Sequence, residues 1–93
     1  MACQALYFAC PGNMVETITD VICFKAVNTP NPSFCGTLTK LTWKLTGATV
    51  LSSPTSGINY LGLRNMNVGT TTVTYTATFT GGIVRTCSFT VLV

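Results

Sequence analysis

The chain has 93 residues, of which 47% are hydrophobic and only 8% charged, with a formal net charge of +3. That is enough for one domain, with a core small enough for a covalent staple to matter. The basic residues Lys25, Lys40, Lys44, Arg64 and Arg85 are scattered, against Glu16 and Asp20 alone, so there is no basic cluster to hold nucleic acid. No apolar run is long enough for a membrane-spanning helix, and there is no histidine to act as an acid, a base or a metal ligand.

The start, MACQALYFACPG, has neither a basic region nor an apolar stretch of the kind an export signal needs. It reads as the opening of an excised piece with natural neighbours on either side, and residues 1–9 read as a lead-in strand. From Leu6 to Val27, two β-rich runs flank a turn at Pro11, Gly12 and Asn13. Asn28 to Gly36, with Pro30 and Pro32 and no periodicity, reads as a loop. LTWKLTG then places Leu41, Trp43 and Leu45 inward against Lys40, Thr42, Lys44 and Thr46 outward, a core-forming strand. ATVLSSPTSG gives a short strand ending in a turn at Pro54 to Gly57. INYLGLR gives another strand, with a bulge at Gly62, and Asn65 to Gly69 leads onward.

The strongest pattern comes last. In GTTTVTYTATFTGGIVRTCSFTVLV, Val73, Tyr75, Ala77 and Phe79 alternate with Thr72, Thr74, Thr76, Thr78 and Thr80. Gly81 and Gly82 supply a turn, and the return arm sets Arg85, Cys87, Phe89, Val91 and Val93 on one side. Nowhere do apolar residues recur at helical spacing, and threonine, valine and aromatics dominate as strands prefer. The fold expected is all-β, an antiparallel β-sandwich of about seven strands in one domain over residues 1–93, with a closed barrel as the structural alternative. The expected core is Leu41, Trp43, Leu45, Val73, Tyr75, Phe89 and Val91.

Five cysteines, Cys3, Cys10, Cys23, Cys35 and Cys87, in a chain of so little charge point to an oxidising compartment and disulfides. The odd count leaves at least one thiol free or paired between chains, and spacing alone does not choose the connectivity.

Val68 to Ala77, VGTTTVTYTA, and Cys87 to Val91, CSFTV, resemble the closing half of hyalin-repeat (HYR) domains. Cys10-Pro11 matches the family's opening Cys-Pro, Cys23 and Cys35-Gly36 match its middle cysteines, and Ser56-Gly57 matches its turn. Phe79, Ile83 and Ser33-Phe34 depart from it by removing oxygen ligands and turn-forming side chains, so no divalent-ion contact carries over. The resemblance implies an immunoglobulin-like sandwich used as a tandem module of extracellular adhesins and cell-surface proteins, without enzymatic activity. It also implies pairing of Cys10 with Cys87 and of Cys23 with Cys35, leaving Cys3 for a neighbouring domain or second chain. By the loop-entropy model these bridges would contribute roughly 4 and 3 kcal/mol.

Catalysis is hard to build from these residues. Glu16 and Asp20, four apart along a strand, would stand roughly 13 Å from each other, too far to act together on one glycosidic bond. A cysteine nucleophile would lack a base, and the wide cysteine spacing without histidine does not suit zinc. No metal, cofactor or enzymatic activity is therefore expected. The threonine ladder Thr72 to Thr80 reads first as a solvent-facing strand and second as a hydroxylated face that meets sugars. Trp43 with Tyr60 would make a sugar-stacking platform, but the alternation of Trp43 with inward leucines favours a core role. The apolar segment Ala5 to Ala9 is the edge best suited to accept a neighbour's strand.

The reading carried forward is a noncatalytic secreted or cell-surface module, in contact with neighbouring domains, copies of itself, or surface glycans and proteins. The alternatives are a self-assembling subunit of an extracellular filament or virion surface, and a carbohydrate-binding module.

Overall fold

In the computed structural model, which describes residues 6–17 and 23–93, the chain is all-β. Its strands are β1 (Tyr7–Ala9), β2 (Met14–Val15), β3 (Phe24–Asn28), β4 (Ser33–Cys35), β5 (Leu38–Gly47), β6 (Leu51–Ser52), β7 (Leu63–Asn67), β8 (Thr70–Phe79) and β9 (Ile83–Leu92). The three ten-residue strands dominate. One five-stranded sheet runs in the order β2-β9-β8-β5-β6, and two ribbons, β1-β4 and β3-β7, supply the second layer.

Alternation decides which face of the large sheet is buried. Leu41, Trp43 and Leu45 of β5 stand opposite Ala77, Tyr75 and Val73 of β8. Across the other side of β8, Thr71, Val73 and Tyr75 face Val91, Phe89 and Cys87 of β9. Nearly all of these side chains are inaccessible to water, and with Val27, Leu61, Met66 and Phe79 they form one core. All seven residues expected in the core lie in it.

Aromatic packing joins the ribbons to this face. Phe8 of β1 meets Tyr75 and Phe79 edge-on, each at 6.4 Å between ring centroids, and Phe34 of β4 packs on Phe79 at 6.1 Å. Val27 and Met66 bring in the β3-β7 ribbon. The resulting body measures 48 × 26 × 16 Å along its principal axes, and its short dimension suits two layers packed about 10 Å apart.

Several elements differ from the sequence reading. The nine strands among the described residues exceed the expected number because β2 and β6 are only two residues long, too short to show a period. The Asn28 to Gly36 segment is not wholly a loop: Ser33–Cys35, just past Pro32, pairs with β1. The expected strand INYLGLR is displaced, since the strand occupies Leu63–Asn67 and Gly62 precedes it at φ 61°. Gly62 marks a bend whose carbonyl accepts from both the backbone N–H and the hydroxyl of Thr29. The large sheet is not purely antiparallel, because β2 runs parallel to β9. The expected β-rich run from Val15 to Val27 falls partly outside the described residues.

Close backbone approach at Gly47 lets β5 hand over to the rest of the sheet. Its φ is 91°, and a Cβ there would lie 2.6 Å from the Thr70 carbonyl oxygen. That same oxygen accepts from the Ala48 N–H at 3.0 Å.

Candidate functional site

Cys10, just after β1, is joined to Cys87 on β9 with Cα atoms 5.7 Å apart and a sequence separation of 77. The bridge ties the end of a ribbon strand to the middle of β9, and both residues pack against the core. The pairing of Cys23 with Cys35 is not formed: Cys23 is a free, exposed thiol. Cys35 is disulfide-bonded, but not to Cys23. Topology explains why. Cys23 leads into β3, and its carbonyl accepts from the Val68 N–H beyond β7, whereas Cys35 lies on β4 opposite Tyr7 of β1. The two cysteines thus belong to different ribbons. Cys3 and Asp20 lie outside the described residues.

The outer face of the large sheet presents rows of hydroxyls. Thr42, Thr76 and Thr86 make one row across β5, β8 and β9, Lys44, Thr74 and Ser88 the next, and Thr46, Thr72 and Thr90 a third. Along its β5 side runs a groove of about 380 Å³, formed by Lys40, Thr42, Trp43, Lys44, Thr74 and Thr76 together with residues 52–55.

Side-chain chemistry fixes the border of this groove. The Ser53 hydroxyl accepts from the Trp43 N–H at 3.0 Å and donates to the Pro54 carbonyl, while the Ser53 N–H donates to the Trp43 carbonyl. The pairing of β5 with β6 is thereby carried one residue past the end of β6, to Ser53 opposite Trp43. The Asn59 amide donates to the carbonyls of Leu41 and Ser56, both at 3.0 Å. The Leu41 N–H donates to Gly57 and the Asn59 N–H donates to Leu41. The turn at Pro54 to Gly57 is consequently sewn to the edge of β5.

Charge in the groove is unneutralised. Glu16 is the one side-chain carboxylate among the described residues, and it pairs with Lys25 at 3.4 Å. It follows β2 at the opposite edge of the sheet. Lys40 and Lys44 therefore have no ion-pair partner among the described residues.

Trp43 is 4% exposed, with the Arg64 guanidinium 5.1 Å above its ring. Its ring is therefore part of the core, and it shares no exposed platform with Tyr60. Its indole N–H has no hydrogen-bond partner among the described residues. Tyr75, fully buried, accepts from the Leu61 N–H at 2.9 Å, and burial pushes its phenol above the ordinary value. This hydroxyl holds the two layers together and has no free face for chemistry. Among the described residues no three of His, Cys, Asp and Glu gather as a metal site, and no helix is long and apolar enough to cross a membrane.

Sequence reasoning found the outward lysines and threonines of the groove but missed the wall. Ser53 and Asn59 carry that wall, and a polar residue in a Pro/Gly/Ser turn gives no sign of which strand edge it will clasp. Comparison with protein-family models, curated proteins and solved structures found no match to this chain.

Proposed function

We propose that the chain is a noncatalytic structural and adhesion module, secreted or displayed at the cell surface as one unit of a tandem-repeat protein of the hyalin-repeat type. The observation that carries this reading is the Cys10–Cys87 bridge across a two-layer β body, a disulfide being compatible with an oxidising, extracellular setting. Charge-poor, threonine-rich outer strands and the HYR-like closing residues add to it.

The mechanism is mechanical. Tension entering at the two ends reaches Cys10 and Cys87 and passes through a covalent bond, so the sequence between them is shielded. Fifteen residues lie outside the bridge, 93 minus the 78 from Cys10 through Cys87. Pulled at its ends, the oxidised domain should extend by no more than about 5 nm, against about 30 nm after reduction, at roughly 3.4 Å per residue. Location is tested by antibody labelling of intact source cells. Staining without permeabilisation supports the proposal, and staining only after permeabilisation overturns it.

A second reading, assembly of copies, is favoured by one feature. The outer edge of β9 is paired with β2 only at Val91 and Leu92, leaving the start of the strand as an edge able to accept another. Light scattering on the oxidised chain distinguishes the two, since a stalk unit stays monomeric and a subunit forms concentration-dependent oligomers.

A further inference from the structure

We propose that the groove beside β5 binds a linear anionic polysaccharide, with acidic groups of the chain held by Lys40 and Lys44 and its hydroxyls by Thr42, Thr74 and Thr76. The proposal rests on the adhesion reading above and names the chemistry of the surface to be gripped.

Charge complementarity is the first argument. Lys40 and Lys44 project from the same face of β5, four residues and roughly 13 Å apart, and the chain gives neither a carboxylate partner among its described residues. A ligand bringing acidic groups at intervals along an extended backbone supplies both counterions without a bend.

Among the described residues, the hydroxyls on the groove's floor are unengaged where several others are not. Thr29, Thr39, Thr71 and Thr80 donate to acceptors within the chain, and Thr49 accepts. Thr42, Thr74 and Thr76, half-buried in the groove, make no such bond among the described residues. Each offers a donor and two acceptor positions to a polyhydroxylated ligand, and its methyl group offers apolar contact to a sugar's C–H face.

Third, the site is fixed before a ligand arrives. Its floor is two paired ten-residue strands, and its border is held by Ser53 and Asn59, so little ordering cost remains on binding. The groove exposes no aromatic ring, because Trp43 turns its indole under Arg64. Stacking of neutral sugars or of nucleic-acid bases, which needs such a ring, is therefore unsupported, and charge with hydroxyl contacts must supply the recognition.

Fluorescence anisotropy with labelled oligogalacturonate and labelled heparin oligosaccharide tests this, with neutral dextran and a single-stranded DNA oligonucleotide as competitors. The wild-type chain should bind the acidic sugars and ignore dextran. K40Q/K44Q should weaken binding by about tenfold or more, the loss of two charge-assisted contacts. K25Q/R85Q, which removes the same net charge elsewhere, should change it by less than about threefold. T42V/T76V should weaken binding while keeping the charge. Equal losses in the two charge pairs, no binding to either acidic sugar, or tighter binding to DNA would overturn the proposal. All six substituted side chains are at least partly exposed, and an unchanged melting temperature confirms that each variant folds. If no polysaccharide binds while surface labelling and disulfide-limited extension persist, this inference fails and the module reading stands.

Discussion

Replacing Cys10 and Cys87 together by alanine should destabilise the domain severely. The bridge spans 77 positions, and the entropy of closing a loop of that length in the unfolded chain corresponds to about 4.5 kcal/mol at room temperature. A domain of this size has a total stability of roughly 5–14 kcal/mol, so a third or more of the margin would be lost. Melting should fall by roughly 20–35 °C. Guanidinium unfolding followed by the fluorescence of Trp43, the only tryptophan, measures the effect directly. The denaturant dependence should also steepen, because an unfolded chain without the cross-link exposes more surface. Either single substitution should reproduce most of the loss, since the bond disappears in both. A loss below about 1 kcal/mol with an unchanged slope would show that the cross-link does not constrain the unfolded chain, contrary to the loop-entropy argument.

Three further substitutions probe the packing. Gly47→Ala should cost at least about 2 kcal/mol in denaturant titration, because it adds a Cβ against the Thr70 carbonyl at a positive φ. Trp43→Ala should cost about 3–5 kcal/mol by emptying the core beneath Arg64, with Trp43→Phe milder. Tyr75→Phe leaves the Leu61 N–H without its acceptor and should cost about 1–3 kcal/mol at neutral pH. Its pH dependence has a definite sign. Burial raises the Tyr75 phenol above 10.0 in the folded chain, so as pH climbs past 10 the unfolded phenol ionises first and the unfolded state gains. The stabilisation is complete below pH 10 and is lost above it. Wild type and Tyr75→Phe should therefore converge in stability on the alkaline side, and a constant gap would contradict the burial argument.

What could be read from the residues was what a half-buried strand writes into its own pattern. The β8–β9 hairpin is legible because β8 alternates between core and solvent along its ten residues and β9 does so from Cys87 to Val91, and Leu41, Trp43 and Leu45 are legible for the same reason. β4 was hidden behind Pro32, since its pairing with β1 is set by a distant partner. β2 joins the sheet in parallel through two residues, too few for a period. The cysteine partners were illegible for a similar reason: which ribbon Cys23 and Cys35 enter depends on long-range strand pairing, and sequence position fails to separate them. In the candidate site, alternation shows that Lys40, Thr42 and Lys44 share a face. The clasp of Ser53 and Asn59 on β5 is a side-chain event of the folded chain and has no periodic trace.

Peptide mapping under nonreducing conditions, after alkylation of the native protein, bears most directly on how this domain is held together. A cross-linked pair of peptides carrying Cys10 and Cys87, with the alkyl label on Cys23, is the expected result. A Cys23–Cys35 cross-link, or an alkylated Cys87, would contradict it.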